Sequence, residues 1–248
     1  MMDTACMTAR PFAHRGLHDM ALGRAARAPE NSLAAFEAAV RAGYGIECDV
    51  CLLADGETAV FHDLTLDRLA GRPEPLFTHT ASSVRAVRLL DSDQRIPLLA
   101  DLLDLVAGRV PLYIELKPLR FIGPLERRVA ELLHAYSGPC FAASFSPASL
   151  GWFNHNAPAI ARCLIASNHW QGGVIPPTPR HRLLANLRMR AVAAPHAIAY
   201  DLRGLPNPAA LHARRDGLPV LTWTARSETD LDKARRVADN VVFENVTP

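Results

Sequence analysis

The chain contains almost no lysine. Of 27 basic residues only Lys117 and Lys233 are lysines, so a basic position here is arginine by default. A lysine beside an acid at the end of an apolar strand therefore stands out, because lysine is a compact point charge and arginine a planar fork. Excess charge of one sign is missing too. A formal net charge of +2 over 248 residues, without a basic tail or stripe, argues against any general affinity for nucleic acid. Pairs such as Arg235-Arg236 read as solvated helix faces. No run of about 18 apolar residues occurs, so no stable membrane insertion is expected. Residues 1–10 lack the apolar stretch of a secretory signal. Cysteines are few and odd in number. Cys6, Cys48, Cys51, Cys140 and Cys163 are expected as free thiols in a cytoplasmic protein. Cys48 and Cys51 have the CxxC spacing, but they lie within an apolar strand without a second pair, which argues against a zinc or redox centre. No His-x-His pair closes the first strand, which disfavours a zinc amidohydrolase.

What is present is a β-then-α alternation. Hydrophobic residues make up 49% of the chain and charged residues 21%, ordinary for a globular protein. The length suits one α/β barrel and is short for two enzyme domains, so residues 1–248 are expected to form a single domain. Predicted strands cover 11–14, 46–52, 58–62, 111–115, 140–145, 160–165, 197–200, 220–223 and 240–243. Predicted helices cover 32–42, 99–107, 124–135, 147–155, 208–215 and 227–237, and a further helical stretch reaches about Arg188. Asn31 is the expected cap of the first helix and Gly43 its stop. Ala54-Asp55-Gly56 is a tight-turn signal. It leaves no room for a crossover helix, so the strand after it should run antiparallel and bring His62 back towards Glu47 and Asp49. Residues 64–96 read as irregular and partly helical, and 172–180 as a Gly- and Pro-rich loop.

The strand ends carry the chemistry. Side chains alternate along a strand, so Glu47 and Asp49 share a face, as do Glu115 and Lys117. Buried carboxylates are costly unless positive charge meets them. Three of them without matched cysteine or histidine ligands favour a hard divalent cation. His14 and His62 are candidates for proton transfer near neutrality. Arg15 and Lys117 could stabilise negative charge developing on a phosphate.

In order along the chain stand His14-Arg15-Gly16, Pro29-Glu30-Asn31-Ser32, Glu47-x-Asp49-Val50, Asp55-Gly56 running to Phe61-His62-Asp63, Thr65-Leu66-Asp67-Arg68, Glu115-Leu116-Lys117-Pro118, Ser144-Phe145 and Trp223-Thr224. This series resembles the glycerophosphodiester phosphodiesterases from residue 11 to the C-terminus. The resemblance implies a (β/α)8 TIM barrel with its site at the C-terminal mouth; the Asp55-Gly56 turn adds a small hairpin there, and the short Leu64–Ile96 segment argues against a large inserted domain. The resemblance also implies one divalent cation, Mg2+ or Ca2+, held by Glu47, Asp49 and Glu115, and His14 and His62 as the acid–base pair. Arg15 and Lys117 match residues that serve catalysis and, with Glu30, line the substrate site; Trp223 is read as packing either on the substrate or in the core. The implied reaction splits a small-molecule phosphodiester into sn-glycerol 3-phosphate and an alcohol. Asp63 either orients His62 or is a turn residue. Histidines 18, 79, 134, 155, 169, 181, 196 and 212 fit no ligand spacing. Ser32 stands where threonine is more usual, Leu116 where isoleucine is, and Phe243-Glu244-Asn245 lacks an aspartate often found there. Two other readings remain open. One is a lysophospholipase D or phosphotransferase acting on a lipid; the other is a catalytically silent barrel used for binding. The oligomeric state is not legible.

Overall fold

The computed structural model describes residues 4–118, 121–168, 183 and 185–248. The loop expected at 172–180, most of the helical stretch before Arg188, His169 and His181 lie outside the described residues. The chain divides into two compact units, one formed by Phe12–Cys140 and the other by residues 4–11 with 141–248.

The first unit is built on β1 (Phe12–Ala13), β2 (Gly45–Leu52), β3 (Thr58–Val60) and β4 (Leu112–Leu116). β2 pairs in parallel with both β1 and β4, placing Asp49 opposite Glu115. β3 runs antiparallel to β2, with Val50 opposite Val60, as the turn at Asp55-Gly56 requires. The strand stops two residues earlier than expected. Even so, the Phe61 amide reaches the Asp49 carbonyl at 2.9 Å, so His62 follows directly beside the acids of β2. β2 is buried along nearly its whole length, as a strand with neighbours on both edges and helices over its face must be.

The helix Leu33–Ala42 turns Ala35, Phe36 and Ala39 inward. Its N-cap is Ser32, whose Oγ accepts the Ala35 amide at 3.2 Å, and Gly43 ends it in the left-handed region at φ 77°. The cap falls one position after the expected Asn31, whose side chain is committed to Asp49 instead. Residues 64–96 contain the short helices Asp67–Ala70 and Ala81–Val84. Leu66, Leu69, Leu76, Val84 and Leu89 pack around Phe61 in a dry cluster, so this segment is an ordered platform. Helices Leu99–Val106 and Pro124–Ala135 complete the unit.

The second unit carries β5 (Cys140–Ser144), β6 (Ala161–Ala166), β7 (Ala197–Asp201), β8 (Val220–Ala225) and β9 (Asn240–Phe243), neighbours in that order and all parallel. Helices Pro147–Asn156, Pro208–Arg215 and Glu228–Val237 alternate with them. Ser146, Asn207 and Ser227 cap the three helices through their side chains. Eight parallel strands alternating with helices make the fold a (β/α)8 TIM barrel, with β3 the antiparallel addition.

Candidate active site

Among the described residues, the expected acids, the lysine, Arg15 and both histidines belong to the first unit, at the C-terminal ends of its strands and in the loops that follow. Glu47 and Asp49 leave the same face of β2, and Glu115 leaves β4 beside them. Ligand oxygens of the three lie within 4.8 Å of one another, and all three residues are buried or nearly so.

Positive charge meets this acid group from two sides. Lys117 Nζ lies 3.1 Å from Asp49 Oδ1 and 2.5 Å from Glu115 Oε1. Burial opposes the Lys117 charge, but the two carboxylates outweigh it and hold the ammonium well above its usual range. Arg15 approaches from the loop after β1, with Nε 3.2 Å from Asp49 Oδ2 and Nη1 2.6 Å from Glu30 Oε1. Its backbone amide also donates to Glu47 Oε2 at 2.9 Å. That geometry depends on a left-handed backbone at Arg15 and at Gly16, with φ of 56° and 82°. A Cβ at residue 16 would sit 2.8 Å from the Ala35 carbonyl carbon, so only glycine fits the close pass of loop against helix.

The two acids of β2 differ electrostatically. Burial raises the Glu47 carboxyl well above the usual range, and the negative charges of Asp49 and Glu115 push it the same way. Asp49 is as deeply buried, yet Lys117 and Arg15 outweigh burial and hold it below its ordinary value. Asn31 adds to this, donating from Nδ2 to Asp49 Oδ2 at 2.9 Å. Glu47 is thus the acid with the least local compensation.

His14 Nε2 lies 4.0 Å from Glu47 Oε2. His62 Nδ1 is 2.7 Å from Asp63 Oδ1, a contact that fits the orienting role among the two open to Asp63. Burial raises the Asp63 carboxyl, but the bonds to His62 and Arg68 bring it down to about 2. An ionised carboxylate can only accept, so a hydrogen bond in this geometry places a hydrogen on Nδ1. Glu30 serves as more than a charge at a helix start, because it accepts from both Arg15 and Arg68.

Two participants carry no local signal of their role. Asn31 has the sequence signature of a cap, and Arg68 stands out only as the last residue of a motif. Asn31 reaches Asp49 18 residues away and Arg68 reaches Glu30 38 residues away, separations that no local pattern reveals. The CxxC pair behaves as expected of core thiols. Burial pushes Cys48 well above its usual range and Cys51 to about 12, so neither is a thiolate. In the second unit, Trp223 packs edge-to-face on Phe145 with centroids 5.6 Å apart, and its buried indole N–H has no partner among the described residues.

Five carboxylates (Glu30, Glu47, Asp49, Asp63 and Glu115) face three cations (Arg15, Arg68 and Lys117) in this network. With neutral histidines the balance is negative, which would repel a phosphodiester. The surplus is concentrated in the Glu47, Asp49 and Glu115 group, whose oxygen-only donor set fits one hard divalent cation.

The relationships of the whole chain define a phosphodiesterase. A model of the glycerophosphoryl diester phosphodiesterase family matches residues 14–245, and the chain belongs to that family. It is 28% identical over 260 residues to the Mycobacterium tuberculosis protein named Probable glycerophosphodiester phosphodiesterase 1, covering 93% of this chain and 88% of that one. It is 32% identical over 161 residues to a Bacillus altitudinis glycerophosphodiester phosphodiesterase, covering 60% and 63% of the two chains. Among solved structures, an Oleispira antarctica phosphodiesterase in complex with the product sn-glycerol-3-phosphate matches with a TM-score of 0.76 at 21% identity, over 96% of this chain and 94% of that one. A glycerophosphodiester phosphodiesterase of Agrobacterium tumefaciens matches with a TM-score of 0.68 at 24% identity, over 94% and 95%.

Proposed function

We propose that this single-domain protein hydrolyses glycerophosphodiesters to sn-glycerol 3-phosphate and an alcohol, with one divalent cation, Mg2+ or Ca2+, and histidine acid–base catalysis. The observation that carries this reading is the grouping of Glu47, Asp49 and Glu115 beside a histidine whose Nδ1 meets Asp63. Bound by those three carboxylates, a divalent cation would supply Lewis-acid stabilisation of charge on the non-bridging phosphate oxygens.

The chain's own residues do the rest. Arg15 and Lys117 add fixed positive charge where attack at phosphorus builds negative charge. Both are already tethered to carboxylates, so little reorganisation accompanies the reaction. His14 and His62 share the two proton transfers, one from the attacking hydroxyl and one to the departing alkoxide. The attacking oxygen is water or the substrate's own glycerol hydroxyl. The second route gives a cyclic phosphate that water then opens, and both routes make the same demand on the two histidines. Glu30, held by two guanidinium groups, supports Arg15 at the substrate. Trp223 is assigned a substrate contact, which its unpartnered indole N–H supports. None of the five cysteines forms a disulfide, which supports a reducing, cytoplasmic setting, and among the described residues no helix is long and apolar enough to cross a membrane.

The test is release of glycerol 3-phosphate from glycerophosphocholine and glycerophosphoethanolamine with Mg2+, with Ca2+ and with EDTA. Activity abolished by EDTA and restored by metal is expected. Equal activity in EDTA would remove the cation from the reading, and no release under any condition would remove the substrate. A lipid substrate is the second reading. It is favoured by Leu64, exposed to 58% immediately after His62-Asp63, and by Phe121, exposed to 77% in the loop after β4. A faster rate on a lysophospholipid in the same assay would select it.

A further inference from the structure

We propose that Arg68 is a positioning residue that holds the imidazole of His62 and the guanidinium of Arg15 in register with one another. The proposal rests on the hydrolysis set out above. It comes from the hydrogen bonds of one side chain. Arg68 Nε donates to Asp63 Oδ2 at 2.7 Å, while Nη1 and Nη2 donate to Glu30 Oε2 and Oε1 at 2.8 and 2.7 Å. Asp63 uses its other oxygen on His62 Nδ1, and Glu30 Oε1 also accepts from Arg15. The resulting chain runs His62, Asp63, Arg68, Glu30, Arg15, with carboxylates alternating with basic groups. One planar fork therefore connects the histidine after β3 to the arginine after β1.

The support beneath Arg68 is well packed. Its short helix, Asp67–Ala70, is anchored by Leu66 and Leu69, both fully buried in the cluster around Phe61. The helix opens on Leu66 and closes on Gly71 in the left-handed region. The Leu64–Ile96 platform thus carries a charged group that touches both arms of the site. Arg68 itself is about half exposed, at 45%, so its contribution to global stability is small, as for other exposed ion pairs. Its value lies in geometry. Glu30 is nearly buried, at 7% side-chain exposure, and without Arg68 it would rotate towards Arg15, its remaining partner. Asp63 would lose the bond that sets its plane, and the Asp63–His62 contact would be free to swing. Lysine cannot replace this function, because a single ammonium cannot present three coplanar N–H groups to two carboxylates.

Substituting an outer partner of a catalytic group typically costs about 10- to 100-fold in activity. Arg68→Ala should lower kcat by that factor and leave KM within about threefold, since alignment of the proton-transfer group acts in the transition state. Arg68→Lys should stay slow despite keeping the charge, and added methylguanidinium should restore part of the Arg68→Ala rate. The double variant Arg68→Ala/Asp63→Asn should be little slower than the worse single variant, because both remove one device. Arg85→Ala, a change in the same segment that breaks a peripheral pair with Asp101 of the following helix, should keep the wild-type rate. A readout independent of turnover is the ring 15N spectrum of His62. Hydrogen on Nδ1 is expected in the wild type and a mixture of tautomers in Arg68→Ala. Wild-type kcat in Arg68→Ala, or full activity in Arg68→Lys, would overturn the proposal. If the wild-type protein releases no glycerol phosphate at all, the proposed hydrolysis itself fails, and the His62 spectrum alone then decides the role of Arg68.

Discussion

Arg15 and Arg162 are both arginines largely withdrawn from solvent, and the protein treats them in opposite ways. Arg15, in the unit that carries the acids, is met by Asp49, Glu30 and Glu47. Burial works against its charge, but those carboxylates outweigh it and hold the guanidinium above its usual range. Arg162, at the start of β6 in the other unit, is exposed to only 4% and faces neutral acceptors: the carbonyls of Ile160, Ala194 and Pro158 and the side chain of Asn154. Burial lowers its pKa, and none of these acceptors carries a charge to offset it. The first arrangement leaves strong, fixed charge at a place where a substrate can use it. The second ties separate backbone segments together and keeps the charge inward. A buried charge is thus a sign of chemistry when its partners are themselves ionised, and a sign of a structural clamp when they are carbonyls.

Six substitutions would break or sharpen this contrast. The largest effect is expected for Glu47→Gln or Asp49→Asn, which should abolish turnover and weaken metal binding while the fold persists. Glu47→Gln should be at least as stable as wild type in metal-free buffer, because it removes a carboxylate that burial and like charge both disfavour. Full activity in either variant would remove the metal assignment. His14→Ala and His62→Ala come next, each expected to cost at least about 10²-fold in kcat with unchanged urea midpoints. Arg162→Met should do the reverse. It removes a donor from the buried Ile160 carbonyl, at about 1–3 kcal/mol, and from the part-buried Ala194 carbonyl, so the urea midpoint should fall while kcat per folded molecule stays near wild type. A loss of kcat at unchanged stability would show that Arg162 is no clamp.

The smallest effect concerns His196, whose Nδ1 accepts the Arg162 amide at 3.2 Å. Burial, and then the Arg162 charge, lower its pKa in the folded state. The stability it contributes is therefore complete above the ordinary histidine value of about 6.5 and is lost as pH falls below that value through the folded-state pKa. Denaturation between pH 7 and 5 should show this slope, and His196→Gln should flatten it. An unchanged slope would mean that another group titrates there.

The contrast also marks which features the amino-acid order carries by itself. Glu47, Asp49, Glu115 and Lys117 are legible because a period of two on apolar strands leaves a charge nowhere to go but the strand end. The hairpin is legible from Asp55-Gly56, and with it the return of His62. Helix Pro124–Ala135 and strand Asn240–Phe243 match their predicted bounds because proline, apolar spacing and turn residues agree there. Asn31 misleads because asparagine before an apolar run is a cap by local rules, and only the nearby Asp49 reassigns it. Arg68 is hidden for a related reason. Its partners, Asp63 apart, come from distant sequence, and its segment shows too little periodicity to reveal the platform beneath it. Local chemistry is written along the chain, whereas support between loops is written only in space.

The tight pass of Gly16 against Ala35 has a practical consequence for protein engineering. The amide that steadies Glu47 is held by main chain wedged against a helix, so no side-chain redesign can recover it once the wedge is lost. A library aimed at new alcohol groups should leave His14-Arg15-Gly16 and Ala35 untouched. It should spend its diversity on outward-facing positions such as Leu64 and Phe121, where backbone geometry makes no demand on residue size.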